Sequence, residues 1–177
     1  MARNGWTWIV CCVLWSVGAP DARAYEDELG LYGALGYTVT GLRSESPPTG
    51  PALELGLDWG AGAMWTVRGF GAYGWQPFSA GPARHLGWLG ADWLYLLDVV
   101  QWVPYAGPGV FAQCQYQAGQ LEVRPGLHVV VGVDYLADRT WTWGMQVRTQ
   151  LHPGFTGEQD LELAVTAALA LRWVLQD

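Results

Sequence analysis

Large apolar side chains recur at every second position over most of the sequence between Glu28 and Trp173. In the last alternating segment, leucine, valine, alanine and tryptophan occupy one set of positions from Leu161 to Trp173. The positions between them hold alanine, threonine, Glu162 and Arg172. A period of two is typical of β-strands that have one apolar face. The sequence therefore predicts an all-β protein.

Glycine, proline and polar clusters divide the alternating region into eight segments. The predicted strands cover residues 28–40, 52–62, 65–76, 86–98, 102–116, 125–136, 141–152 and 161–173. Every second connection is predicted to be long, and these connections cover 41–51, 77–85, 117–124 and 153–160. An even strand number with short turns at one end and longer loops at the other is typical of an outer-membrane barrel. Tilted by about 45°, such strands rise roughly 25–30 Å, which is enough to cross the apolar layer.

The alternation alone does not show whether the apolar face points into or out of a barrel. A soluble lipocalin-like barrel has the same period with the opposite orientation. Here the other face is built mostly of small residues, which suit the narrow interior of eight strands. The sequence has no lysine, although a soluble barrel needs a charged outer face. We therefore predict an eight-stranded antiparallel up-and-down transmembrane barrel, with a soluble barrel that binds a small apolar ligand as the alternative.

Eight ionisable side chains are predicted to form a polar network in the lumen. They are Glu54, Asp58, Arg68, Asp92, Asp134, Arg148, Glu162 and Arg172. An arginine at mid-depth in lipid costs about 2–4 kcal/mol, so eight outward charges would exceed the stability of about 5–15 kcal/mol of a typical domain. Asp92 shares its parity with Trp88, so its inward placement requires a β-bulge that turns Trp88 outward.

Aromatic side chains are predicted to form two girdles, one near each interface of the membrane. The girdle at the end with tight turns contains Trp59, Trp65, Tyr135, Trp141, Trp143 and Trp173. The girdle at the end with long loops contains Tyr37, Tyr73, Trp75, Trp88 and Tyr116. This assignment places the start of the first strand on the periplasmic side.

Residues 1–24 are predicted to be a secretory signal peptide. Arg3 precedes an apolar run over 6–17, and Ala22-Arg23-Ala24 fits the small-residue cleavage pattern. Residues 25–177 then form the barrel domain and contain a single cysteine, so no intramolecular disulfide is expected. The predicted location is the outer membrane.

No pattern in the sequence points to catalysis, a cofactor or a metal. The net charge of −7 disfavours nucleic acid as a partner. His128 has no second histidine or cysteine at a spacing that suits metal ligation. Ser44, Ser46 and Ser79 are the serines after residue 24, and none shares a strand face with a histidine such as His85. We therefore predict a protein that is not an enzyme, with a lipid A-modifying barrel enzyme as a less favoured alternative.

Pro108 lies inside the fifth predicted strand and cannot donate a hydrogen bond to a neighbouring strand. A closed barrel has no free edge at which this loss is harmless. The sequence therefore predicts either a bulge at this position or a strand that effectively starts at Gly109.

Three short stretches carry a resemblance to a known family. Residues 104–110 are similar to a Pro-Tyr-x-Gly-x-Gly strand opening, and 132–141 to a Gly-x-x-Tyr pattern followed by a short turn and Trp. The final strand resembles the C-terminal signal read by the barrel insertion machinery, although four residues follow Trp173. The chain thus resembles the small outer-membrane β-barrel domain family, the OmpA-, OmpX- and OmpW-like barrels. The resemblance implies the barrel fold and the membrane, with outer-membrane lipid and the insertion machinery as partners, and it implies no activity. We predict a structural or porin-like role and leave the oligomeric state open.

Overall fold

The computed structural model describes residues 28–42, 47–77, 82–97, 101–138, 140–152 and 162–175. The strands are β1 (Leu29–Thr40), β2 (Thr49–Gly62), β3 (Trp65–Gln76), β4 (Arg84–Leu96), β5 (Trp102–Gln117), β6 (Gln120–Leu136), β7 (Trp141–His152) and β8 (Glu162–Leu175). Each strand pairs antiparallel with the next, and β1 pairs with β8 to close a barrel. The predicted eight-stranded antiparallel barrel is therefore confirmed. The predicted signal peptide lies outside the described residues.

The strands are staggered around the barrel. One row of paired residues runs once around the wall through Gly30, Asp58, Arg68, Asp92, Gly109, His128, Gln150, Ala164 and Thr40. The row leaves β1 at residue 30 and returns at residue 40, so the stagger is 40 − 30 = 10 residues. Closing a sheet with such a stagger requires strands tilted by roughly 35–45°. Because the row climbs from one end of β1 to the other, its ionisable side chains lie at successive levels of the lumen.

Large apolar side chains point outward from the barrel wall. On β8, Leu169 is 68% exposed and Leu171 is 51% exposed, whereas Arg172 beside them is 4% exposed. On β7, Val147 is exposed and its neighbour Arg148 is buried. The barrel thus has an apolar outer surface and encloses charged side chains, which is the reverse of a soluble barrel.

The lumen also contains apolar side chains that the strand pattern does not reveal. One cluster consists of Phe70, Leu86, Trp88 and Phe111, and a second consists of Leu94, Leu96, Val103, Tyr105 and Val130. β4 contributes inner-face residues to both clusters, and it also carries Leu89 and Trp93 on its outer face. This explains why β4 alternates poorly in the sequence.

The outward placement predicted for Trp88 is wrong. Its side chain is 5% exposed and lies in the lumen, on the same face as Asp92. The pairing of β3 with β4 runs through both residues without a register shift, so the bulge required by the prediction does not exist. Gly74 on β3 makes room for the inward indole, since a Cβ at that position would overlap the ring.

The other residues predicted to form the girdles lie on the outer surface. Trp141 and Trp173 stack with ring centroids 5.5 Å apart, and Tyr135 lies 4.9 Å from Trp102 by the same measure. Tyr37, Tyr73, Trp75 and Tyr116 are exposed near the other end, as are Trp59, Trp65 and Trp143 at the first end. Trp93, Tyr95 and Trp102 join the first group and were not predicted, although Trp102 begins a predicted strand.

The connection between β5 and β6 differs from the prediction of a long loop over 117–124. Both strands continue outward until Gln117 pairs with Gln120. Ala118 and Gly119 form the turn with φ values of 51° and 83°. Positive φ at both central residues is typical of a type I′ hairpin turn, which matches the twist of the strands. Glu122 and Arg124, which fall within the predicted loop, therefore belong to the hairpin.

Both alternatives predicted for Pro108 are wrong. β5 is continuous through this residue, which pairs with Val129 of β6 without a shift. On the other side, the pairing with β4 is interrupted at Trp93 and Leu94 and resumes in the same register at Tyr95. A local gap in one ladder thus accommodates the missing N–H group, and no extra residue is inserted.

Candidate functional site in the barrel lumen

Arg148 is the centre of an ion-pair cluster that crosses the lumen. Its side chain extends from β7, its Nη1 donates to Glu54 of β2, and its Nη2 donates to Asp92 Oδ2 of β4 at 2.8 Å. In an eight-stranded barrel β7 lies opposite β3, and β2 and β4 are the two neighbours of β3. The two bonds therefore connect opposite walls. The guanidinium also lies 4.0 Å from the centroid of the Phe70 ring. We call Arg148, Glu54, Asp92 and His128 the Arg148 cluster.

A second cluster surrounds Arg68 of β3. Its guanidinium forms two parallel hydrogen bonds with Asp58, of 2.6 Å from Nε to Oδ1 and 3.0 Å from Nη2 to Oδ2. Its Nη1 donates to Gln146 Oε1 of β7 at 3.2 Å, and Arg172 Nε lies 3.2 Å from Asp58 Oδ2. The Tyr32 ring lies against the guanidinium, with its centroid 3.7 Å from Cζ. A bidentate arginine–carboxylate pair is among the stronger hydrogen-bonded arrangements in proteins.

His128 joins the Arg148 cluster across an intervening strand. It lies on β6 and its Nε2 contacts Asp92 Oδ1 on β4. Gly109 of β5 occupies the place between them in the same row. A Cβ at residue 109 would overlap the His128 ring and the Ala91 carbonyl oxygen. The glycine is therefore what allows the two side chains to meet, and sequence reasoning missed this role.

Replacing Gly109 with alanine is expected to destabilise the barrel by about 1–3 kcal/mol, the usual cost of overpacking a filled interior. The added methyl group must displace the His128 ring, which then loses its contact with Asp92. Gly69→Ala is the matched control, because a Cβ at residue 69 meets nothing within 4 Å and points outward. Urea titration of both variants in detergent measures the effect. Equal stabilities of the two variants would show that the side chains around Gly109, between Asp92 and His128, are not tightly packed.

The remaining predicted lumen residues lie outside the two clusters. Asp134 of β6 is buried beside Gly144 but takes part in no ion pair among the described residues. Glu162 begins β8 at the outer rim, where its Oε2 accepts a hydrogen bond of 3.1 Å from Arg124 Nη1. Arg124 also donates to Glu122 at 2.6 Å. The β5–β6 hairpin is thus tied to β8 at the mouth of the barrel.

The tight turn between β6 and β7 is organised by one carboxylate. Asp138 Oδ1 accepts hydrogen bonds from the Thr140 backbone N–H at 2.7 Å, from the Thr140 hydroxyl at 2.8 Å and from the Trp141 backbone N–H at 2.8 Å. The bond from the Thr140 backbone is the largest of the causes that lower the pKa of Asp138 below its ordinary value. The ionised carboxylate therefore holds this turn.

The contribution of Asp138 to stability is expected to depend on pH. Its pKa is lower in the folded state, so the contribution is complete above the unfolded pKa of about 3.9 and disappears as the pH falls through the folded pKa. A carbon NMR titration of the side-chain carboxyl measures this midpoint. Asp138→Asn is the control, because its amide oxygen still accepts hydrogen bonds but does not titrate. A midpoint at or above the ordinary value would contradict the prediction.

The residues considered for catalysis do not come together in the described structure. His85 lies on the outer surface of β4, where its Nδ1 is 2.7 Å from the Tyr73 hydroxyl. Ser44, Ser46 and Ser79 lie outside the described residues. In the part of the chain that the structure describes, no group of three metal-ligating side chains is close enough to hold an ion. The described residues include no helix with the length and apolarity needed to cross a membrane.

Comparison with known proteins supports the architecture at low sequence identity. No protein-family model matches the chain, and curated proteins give no significant match. Among solved structures, Neisserial surface protein A is 13% identical, with a TM-score of 0.70, over 82% of this chain and 96% of that chain. The attachment invasion locus protein Ail of Yersinia pestis is 14% identical, with a TM-score of 0.55, over 85% and 99%. OprG of Pseudomonas aeruginosa is 11% identical, with a TM-score of 0.55, over 89% and 100%.

These likenesses agree with the resemblance carried by residues 104–110, 132–141 and 161–173. At such low identity they concern the fold and not the activity. The protein therefore has the fold of the small eight-stranded outer-membrane β-barrels.

Proposed function

We propose that the protein spans an outer membrane as a structural barrel whose lumen is sealed, and that it is not an enzyme. The observation that carries this proposal is the Arg148 cluster, which joins opposite walls of the barrel through buried ion pairs. A side chain that bridges the lumen in this way occupies the route that a solute would take. The proposed role is then to stabilise the outer membrane mechanically, with the outer rim of the barrel exposed at the membrane surface.

The two surfaces of the wall support the placement in a membrane. Exposed leucine, valine and tryptophan side chains cover the outer face, as described above for β7 and β8. Six of the predicted lumen charges are buried and joined in the two clusters, where they are kept from lipid. The soluble alternative requires an apolar pocket inside the barrel and a charged exterior, and the described residues show the opposite arrangement.

The free volume beside the Arg148 cluster is small, and this supports a lumen sealed at that cluster over a porin-like one. Beside Glu54, Arg148 and Gln150 the described lumen contains a cavity of about 10 Å³. A cavity of this size holds about one water molecule. Continuous conduction would require the cross-lumen ion pairs to open.

Planar-bilayer recording tests the sealed lumen directly. The wild-type protein is expected to insert without steady conductance steps. The double variant Arg68→Ala/Arg148→Ala removes both arginines that bind residues on the opposite wall, and it is expected to conduct. Steady steps from the wild-type protein would contradict the proposal and favour the porin-like alternative. Gel mobility before and after boiling checks that each preparation contains a folded barrel.

The absence of enzymatic activity is tested with lipopolysaccharide. Incubation with the folded protein is expected to leave the mass of lipid A unchanged. Loss or gain of an acyl chain would overturn this part of the proposal, and a Ser79→Ala variant that abolished the change would assign the activity. The membrane location would still stand in that case.

A further inference from the structure

One internal cavity has an unusual lining. Four alanines, Thr166 and four larger polar side chains surround it, and its volume is about 10 Å³. The alanines are Ala34, Ala52, Ala72 and Ala168. Since the barrel wall carries only methyl groups at these positions, space remains between the Arg148 cluster and the surrounding strands.

Each of the four larger side chains carries one buried polar atom with no hydrogen-bond partner among the described residues. These atoms are Glu54 Oε1, Trp88 Nε1, Arg148 Nε and Gln150 Oε1. All four side chains are at most 6% exposed. Buried polar groups in native proteins are almost always satisfied by protein or by ordered water. The residues that line the cavity therefore contain two hydrogen-bond donors and two acceptors that still need a partner.

We propose that this cavity is a binding site for a single water molecule. Water accepts two hydrogen bonds and donates two, which matches the two N–H groups and the two oxygen atoms of the lining. In this arrangement Trp88 and Arg148 donate to the water, and the water donates to Glu54 and Gln150. The cavity is large enough for one water, and internal waters typically make two to four such bonds. A metal cation is disfavoured because two of the four lining groups are donors and one of them is a guanidinium.

This inference goes beyond the sealed lumen. The ion pairs of Arg148 use its two terminal nitrogens, whereas the water uses Nε and thereby couples the arginine to the Trp88 indole of β4. The site does not depend on whether the barrel conducts ions, so it is tested separately from the proposed function.

The experiment is a nuclear Overhauser measurement between water and the Trp88 indole proton, on the whole chain refolded in detergent. Trp88→Phe identifies the indole signal by its loss, and through-bond assignment identifies it if that variant does not fold. The expected result is a cross-peak to water of the sign typical of a long-lived internal water. Trp93 on the outer surface is the reference indole. Thr166→Val is expected to keep the cross-peak, which shows that the cross-peak is not relayed by the hydroxyl in the lining.

Filling the cavity supplies the decisive comparison. Ala72→Val adds two methyl groups to the lining and is expected to abolish the cross-peak. Ala91→Val makes the same change on the outer face of β4 and is expected to leave it unchanged. No cross-peak in the wild type, or an equal cross-peak in Ala72→Val, would overturn the proposal. Contacts of the indole proton with the side-chain amide of Gln113 or Gln150 in place of water would overturn it as well.

Discussion

Replacing Arg148 with methionine is expected to lower the free energy of unfolding by about 3–5 kcal/mol, the usual cost of removing one partner from a buried ion pair. Arg148 is 2% exposed and bonds both Glu54 and Asp92. Methionine keeps most of the packing volume but leaves two carboxylates without the guanidinium that neutralises them. Urea titration in detergent, followed by tryptophan fluorescence, measures the loss.

Arg124→Met is the matched control for this change. Arg124 also bonds two carboxylates, but it lies at the outer rim and its side chain is 29% exposed. A pair accessible to solvent contributes about 0–1 kcal/mol, so the control is expected to lose little stability. The double variant Arg148→Met/Glu54→Gln is expected to recover part of the loss, because it removes one of the unpaired charges. Equal losses for the two single variants would show that the lumen is hydrated and not sealed.

Placing arginine at residue 131 is expected to cost about 2–4 kcal/mol, the range for a positive charge at mid-depth on the lipid side of a barrel. Val131 of β6 points outward and is 56% exposed, and the residues on either side of it in the pairing row are Ala106 and Val147. The introduced guanidinium has no ion-pair partner there, so it must either lie in the hydrocarbon or extend to the membrane interface. Unfolding of Val131→Arg in lipid vesicles measures the cost.

Leu121→Arg provides the comparison on the same strand. Leu121 also points outward and is 67% exposed, but it lies on the β5–β6 hairpin close to its turn. Near the interface the cost falls to about 0–1 kcal/mol. In a soluble barrel both arginines would lie in water, and neither would destabilise the protein. A small and equal effect at the two positions would therefore contradict the membrane placement.

The sequence was sufficient to predict the architecture because the outer face of most strands is uniformly apolar. The bounds predicted for β3 and β7 coincide with those observed, and β8 extends to Leu175, two residues past the predicted end. β4 was the exception. It has large side chains on both faces, which allowed Trp88 to be assigned to the outer girdle. The structure keeps its shared parity with the inward Asp92, because the register between β3 and β4 has no shift and Gly74 leaves room for the indole.

The internal arrangement of the site was less accessible from the sequence. Parity indicates which charges face the lumen, but the partners depend on stagger and on the opposite wall. Asp58 and Arg68 can be paired from the sequence because they lie on the two strands of one hairpin. Arg148 and Glu54, in contrast, are 94 residues apart in the sequence. The contact between His128 and Asp92 depends on a glycine in a third strand. No single-strand pattern contains that information.

The long sequence separations inside the lumen set an order for assembly. Asp58 can find Arg68 as soon as β2 and β3 form a hairpin, because ten residues separate them. Glu54 and Asp92 can bond Arg148 only after β7 has joined the barrel, because Arg148 lies 94 and 56 residues further along the chain. Until β7 docks, Glu54 requires water, and among the described residues Asp92 has only His128 of β6 as a partner. Dehydration of the lumen is thus coupled to the docking of the last strands. A sheet of β1 to β6 must remain hydrated on the face that later lines the lumen.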